Sequence, residues 1–172
     1  MRRRSRESLA SFSWFIPGRL AGSARPGLLR ELTDDLTFLR SKGIARVVNL
    51  TTKVLPEAVA EAGFQVVHFP IADMGIPTPR ACASLCRSIV EELETRPTLL
   101  HCRGGLGRTG TVAACCLVTL GRGPKEALAE VRAINPNYVQ SPAQAAFIGH
   151  YAQWIEDGAE PSIEALRKEA PS

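Results

Sequence analysis

The chain has 172 residues, 45% of them hydrophobic, and a formal net charge of +4, the size and apolar content of one globular domain with a proper core. Residues 1–8 carry four arginines and one glutamate, so +3 of the +4 sits there and the rest is nearly neutral, which argues against a nucleic-acid-binding face on the folded body. No apolar run approaches a membrane span, and five cysteines, an odd number, with no secretory signal read as a reduced, cytoplasmic protein.

In chain order, residues 1–11 read as a disordered basic leader, with a tether to an acidic membrane or nucleic acid as the alternative. The stretch Leu9 to Ile16 has some of the form of a signal peptide, but Ser11 and Ser13 interrupt it and Pro17 and Arg19 end it. Trp14 to Gly22 reads as a short strand or extended segment turning at Pro17-Gly18. Thr33 to Lys42 reads as a helix capped by Thr33, with Asp34 and Asp35 in its first turn. Ile44 to Leu50 is a buried strand, Pro56 to Ala62 a short helix closed by Gly63, and Phe64 to Ile71 another strand. Thr78-Pro79 is a helix cap followed by a first-turn proline. In the helix that follows, to about Glu94, Cys82, Leu85, Cys86, Ile89, Val90 and Leu93 form one apolar stripe. Cys82 and Cys86 are thus expected in the core, with a metal or redox pair as the alternative.

Thr98-Leu99-Leu100 leads into His101-Cys102-Arg103-Gly104-Gly105-Leu106-Gly107-Arg108-Thr109-Gly110. The helix expected over Thr109 to Leu120 is apolar all round, the mark of a buried central helix; Cys115 and Cys116 fall there as small core residues. Gly123-Pro124 and Ser141-Pro142 start two more helices, the second reaching Asp157-Gly158, and Pro161 to Glu169 reads as a peripheral C-terminal helix in a tail over residues 159–172. Strands alternating with helices predict a single α/β domain, residues 12–158, with a central sheet flanked by helices. The glycine-rich loop between the central strand and the central helix lies where such sheets place ligands.

A cysteine and an arginine bracket five residues of that loop, three of them glycine. Glycines let the backbone curl so that successive N–H groups point inward and form an anion nest. The start of the next helix adds unpaired N–H groups and a positive dipole end, and Arg108 supplies a planar fork able to grip two phosphate oxygens. Arg103, Gly104, Gly105, Leu106, Gly107 and Arg108 are the candidate phosphate-binding residues. The positive field favours the anionic, nucleophilic form of Cys102.

These residues resemble the His-Cys-x5-Arg-Ser/Thr signature of the cysteine-dependent protein tyrosine phosphatase superfamily, from about Phe12 to about Tyr151. Within it the chain is most similar to the small atypical dual-specificity phosphatases. Phe12-Ser13-Trp14 and Pro17-Gly18-Arg19-Leu20-Ala21-Gly22 resemble the catalytic-core-only members. Pro70-Ile71-Ala72-Asp73 and Gly104-Gly105-Leu106-Gly107-Arg108 resemble the kinase-associated phosphatase. The resemblance implies a mixed sheet of four or five strands, and a disulfide from Cys115 or Cys116 to Cys102, as in some members of the superfamily, is one possible regulatory use.

Phosphate monoester hydrolysis needs a nucleophile, positive charge on the oxygens and a proton for the leaving group. Cys102 is the candidate nucleophile. Asp73 is the only aspartate between residues 36 and 156 and follows a strand; it matches the family's general acid by position, although Ile71-Ala72-Asp73 departs from the tryptophan-proline-aspartate pattern of the large members. A turn residue is the alternative for Asp73. Thr109 can donate to the Cys102 sulfur or cap the helix, and His101 is expected to orient the loop. Val139-Gln140-Ser141-Pro142-Ala143-Gln144 resembles the family's glutamine loop, with Gln140 favoured over Gln144 for positioning water, because Ser141 and Gln144 also form a capping box. Arg103 rims the pocket or is simply solvated. The large tyrosine-specific members of the family use an aromatic on an N-terminal loop to deepen the pocket, whereas the only tyrosines here, Tyr138 and Tyr151, follow the signature, so the resemblance implies a shallower pocket.

No metal-ligating motif occurs, and this mechanism needs no cofactor. The reading is therefore a metal-independent phosphatase for phosphotyrosine, and for phosphoserine and phosphothreonine, in a phosphorylated protein substrate; the chain is expected to be monomeric. The rival readings are a phosphoinositide or RNA 5′-phosphate phosphatase and a phospho-binding pseudophosphatase scaffold.

Overall fold

The computed structural model describes residues 8–158; the greater part of the basic leader, and the helix expected over 161–169, lie outside the described residues. Five strands, β1 (Ser13–Ile16), β2 (Leu20–Ser23), β3 (Arg46–Asn49), β4 (Gln65–His68) and β5 (Thr98–His101), form one sheet in the order β1-β2-β5-β3-β4. The β1–β2 pair is antiparallel and every other pair parallel. Six helices complete the domain: α1 (Leu32–Ser41), α2 (Ala58–Glu61), α3 (Pro79–Glu91), α4 (Gly107–Thr119), α5 (Pro124–Ile134) and α6 (Pro142–Glu156).

Strand alternation splits the core into two layers. Ala21, Leu99 and Val47 stand in register on β2, β5 and β3 and face one layer with Leu36 and Leu39 of α1 and Val59 of α2. Leu100 and Val48, one residue on, face the other, where α4 is buried from Gly107 to Val118 and packs on α3, α5 and α6. In that register the partner of Leu100 on β2 is Gly22. A Cβ on Gly22 would lie 2.7 Å from both Phe15 and the Cγ2 of Thr109. The missing side chain is what lets the first turn of α4 sit down on the sheet.

Several expectations need correction. The turn expected at Pro17-Gly18 is present, with Gly18 at φ +72, but it joins two paired strands, β1 and β2, in place of the single short strand or extended segment expected over Trp14 to Gly22. Thr33 does not cap α1: the helix begins at Leu32 behind Glu31, whose carbonyl accepts from the amides of Asp34 and Asp35, with no side-chain cap. Asp35 instead reaches back to the Gly27 amide at 2.8 Å, which anchors the loop after β2. Helix α4 begins two residues before Thr109, so Gly107 and Arg108 belong to its first turn. Ordered structure also reaches back past Phe12: Leu9 is buried beside α1, and the Ala10 carbonyl accepts from Ala24. The caps at Thr78 and Ser141 stand as expected.

Candidate active site

Strand β5, the middle strand, ends at His101 and delivers Cys102 to the carboxyl edge of the sheet. The residue is 3% exposed, and its sulfur accepts two hydrogen bonds, from the Gly105 amide at 3.3 Å and from the Thr109 hydroxyl at 3.1 Å. Thr109 therefore takes the sulfur-contacting role of its two proposed roles, and α4 has no side-chain cap at Leu106. Gly105 has φ +82, and a Cβ there would lie 2.5–2.6 Å from backbone atoms of Ser23 and Ala24. The loop is thus pressed against the backbone that follows β2, and the Arg25 amide donates to the Arg103 carbonyl at 3.0 Å. Gly104 is unlike Gly105: its φ is not positive and a Cβ there would meet nothing within 4 Å.

Arg108, 6% exposed, reaches from the first turn of α4 to the loop after β4. Its Nη1 donates to the Ile71 carbonyl at 2.9 Å, and its Nη2 lies 3.5 Å from Asp73 Oδ1. The Asp73 side chain is 83% exposed at the mouth of the cavity. Its loop makes a tight turn, with Met74 at φ +60 and the Gly75 amide on the Ala72 carbonyl. The turn is stapled to the start of α6 by Ser141 Oγ to the Met74 carbonyl and by Gln144 Nε2 to the Gly75 carbonyl, both at 3.3 Å.

The buried Gln144 has its other amide atom committed as well: Oε1 accepts from the amides of Gln140 and Ser141 at 3.0 and 3.1 Å. Gln140 is exposed, and its Oε1 would lie 2.8 Å from a Cβ on Gly107, so its side chain lies over the floor of the cavity. Val139, just before it, has φ +66, a strained setting for a β-branched residue. Arg132 clamps that bend by donating to the carbonyls of Tyr138 and Val139.

Cys102, Arg103, Gly104, Leu106, Gly107, Arg108, Asp73, Gln140 and Gln144 together line one cavity of about 320 Å³. Gly105, Thr109 and His101 lie outside the lining and act from behind it. His101 is fully buried, with Nδ1 3.4 Å from the Cys102 carbonyl, and burial holds its pKa down at about 3. The ring is neutral, and the Nδ1 that faces the Cys102 carbonyl can bond it only as the N–H donor. Leu28 also lines the cavity, and no motif or periodicity in the chain marked it. Tyr138 and Tyr151 are both core residues.

Cys82 and Cys86 face the core as expected. Their sulfurs are 3.8 Å apart, and Cys116 lies 3.6 Å from Cys86. Cys115 and Cys116 are small core residues of α4, as expected, and both are free thiols, as is Cys102. Among the described residues, no group of three or more His, Cys, Asp or Glu side chains is placed to hold a metal, and no helix is long and apolar enough to cross a membrane.

Comparison with known proteins gives the same picture. Residues 9–167 match a family model described as Swiss Army Knife protein, DSP-PTPase phosphatase domain. The chain is 33% identical over 164 residues to protein tyrosine phosphatase domain-containing protein 1 of Mus musculus, covering 84% of this chain and 22% of that protein. It is 33% identical over 129 residues to cyclin-dependent kinase inhibitor 3 of Homo sapiens, covering 66% and 59%. The chain thus spans about a fifth of the first relative and little over half of the second. A crystal structure of the kinase associated phosphatase, with serine in place of its catalytic-site cysteine, superposes with a TM-score of 0.78 at 25% identity, over 90% of this chain and 99% of that one.

Proposed function

The chain belongs to the dual-specificity-type phosphatase domains of the cysteine-based protein tyrosine phosphatase superfamily, and on that premise we propose that it hydrolyses phosphotyrosine, phosphoserine and phosphothreonine in proteins through a phosphocysteine on Cys102. The observation that carries the reading is the set of groups gathered in one cavity. A sulfur held by Gly105 and Thr109 shares that cavity with an arginine and an aspartate 3.5 Å apart.

In the first step the Cys102 thiolate attacks phosphorus, the phosphorus–oxygen ester bond breaks, and Asp73 gives its proton to the leaving oxygen. Arg108 spans two phosphoryl oxygens and balances the charge gathered on them. In the second step a water held by Gln140 attacks the phosphocysteine. Asp73, now a carboxylate, takes the proton of that water. The sulfur–phosphorus bond breaks, and the returning thiolate is met by the Thr109 hydroxyl. Inorganic phosphate leaves. With both tyrosines in the core and Leu28 in the wall, no aromatic collar deepens the cavity, which favours acceptance of the shorter serine and threonine esters.

The test is turnover of para-nitrophenyl phosphate in excess chelator, by the wild-type chain and by Cys102→Ser, together with acid-quenched labelling by a radioactive phosphopeptide. Chelator-insensitive turnover, a labelled wild-type protein and an inactive, folded serine variant are expected. Near-wild-type activity of the serine variant would remove Cys102 as nucleophile. A protein that binds phosphopeptide without turning it over would be a scaffold instead.

A further inference from the structure

The catalytic cavity continues on two sides. Leu28 lines both it and a neighbouring cavity of about 310 Å³, built with Arg25, Pro26, Leu32, Lys53 and Val54. Leu106 and Gln140 line both it and a third cavity of about 530 Å³, built with Met74, Pro136, Asn137 and Val139. No residue lines both outer cavities, and each shares lining residues with the catalytic cavity, so the three adjoin as a trough in which the cavity holding Cys102 is the common neighbour.

The rim of this trough is apolar in a way the rest of the described surface is not. The exposed large hydrophobic residues are Leu28, Leu29, Val54, Met74, Ile76, Leu120 and Ile134. Leu28 and Val54 line one outer cavity, with Leu29 next to Leu28 in the chain, and Met74 lines the other, with Ile76 two residues on in the Asp73 loop. Leu29 and Val54 are 74% and 70% exposed. Apolar side chains held out at the mouth of a site mark a surface that is covered when the site is in use.

Charge distinguishes the two ends. Lys53 and Arg103 are exposed on the Leu28 side. The Arg25 guanidinium there is committed to Thr51 and to the carbonyls of Lys53 and Val54, and so it shapes the wall. The lining of the third cavity has no charged residue. A polyanion threaded along the trough would therefore find cations over one end only, whereas an extended peptide would find Leu28, Leu32 and Val54 on one side of its phosphoresidue and Met74, Leu106 and Val139 on the other.

We propose that this trough reads the sequence around the phosphoresidue: it takes an extended phosphorylated segment of a protein with an apolar side chain on each side and an acidic residue at the Lys53 end. The inference rests on the phosphatase reading above and names the substrate features that its site selects.

The experiment measures kcat/KM on a phosphotyrosine peptide library, with para-nitrophenyl phosphate as the substrate that cannot reach the outer cavities and phosphoinositide vesicles as the lipid arm. Wild-type protein is compared with Val54→Asp and Lys53→Glu, both exposed positions whose side chains the fold does not bury. Apolar flanking residues are expected to raise kcat/KM roughly tenfold, through KM, from burial of one side chain in each cavity. Val54→Asp should lower peptide kcat/KM about tenfold more than aryl phosphate kcat/KM, and Lys53→Glu should exchange the acidic preference for a basic one. A flat library with good aryl phosphate turnover overturns the trough alone. Equal losses on peptide and aryl phosphate in Val54→Asp, or vesicles turned over faster than every peptide, overturn it too. Absence of aryl phosphate turnover overturns the catalytic reading itself.

Discussion

Gly105→Ala tests whether the nucleophile loop depends on its contact with the backbone after β2. The alanine would sit at φ +82, where a left-handed L-residue costs roughly 1–2 kcal/mol. Its Cβ would also stand 2.5–2.6 Å from backbone atoms of Ser23 and Ala24, which cannot rotate away as a flexible side chain could, and overpacking of this kind costs about 1–3 kcal/mol. Together the loss is about 2–5 kcal/mol, or roughly 4–20 °C in melting temperature for a domain of this size. The Gly105 amide also bonds the Cys102 sulfur, so a loop displaced by about 1 Å should lower kcat/KM about 10²-fold. Gly104→Ala is the matched control for stability: with open space around its Cβ and no positive φ, it should change stability by less than about 0.5 kcal/mol. The assays are calorimetric melting of both variants and aryl phosphate kinetics of Gly105→Ala. Equal melting temperatures for the two variants, or undiminished kcat/KM in Gly105→Ala, would refute the reasoning.

Thr109→Val keeps the methyl that packs over Gly22 and removes the hydroxyl on the Cys102 sulfur; a hydrogen bond to a charged group is worth about 1.5–3 kcal/mol, so kcat should fall roughly 10–100-fold, and an unchanged kcat would assign Thr109 to packing alone. Asp73→Asn should lower kcat by roughly 10²–10⁴-fold, most for alkyl phosphates and least for aryl esters with acidic leaving groups; a loss that ignores the leaving group would place the proton donor elsewhere. His101 titrates at about 3 in the folded protein because burial disfavours its charge, against about 6.5 when unfolded. Between those values the unfolded chain binds the extra proton, so stability is complete above about pH 6.5 and declines below it by up to about 1.4 kcal/mol per pH unit. Urea midpoints of His101→Gln should show a flatter acid limb than wild type, and parallel limbs would contradict the assignment.

What the sequence disclosed was local. Cysteine, glycines and arginine lie within seven positions, Thr78-Pro79 and Ser141-Pro142 carry their caps in the adjoining residues, and the stripe on α3 repeats at one helical period. Each is settled by neighbours along the chain. What it concealed depends on which strands stand side by side. Gly105 differs from Gly104 in its left-handed backbone and in the Ser23 and Ala24 backbone that the pairing of β2 with β5 brings under the loop. Leu28 and Arg25 reach the site by the same adjacency, and no spacing in an apolar four-residue strand announces its partner.

Gln144 shows how the two kinds of information meet. From the sequence it had two separate readings, a helix-capping residue and a water-positioning one. In the fold its Oε1 closes the capping box and also holds the Gln140 amide, while Nε2 holds the Gly75 carbonyl, two residues beyond Asp73. Oε1 accepts from two amides, while Nε2 spends one of its two N–H groups on the Gly75 carbonyl, so capping takes up most of this side chain, and Gln140, exposed over the same cavity, is the freer of the two. The cap nevertheless reaches the chemistry. By tying the start of α6 to the turn after Asp73, it sets where the carboxylate stands relative to Arg108, although 69 residues separate the two ends of that bond.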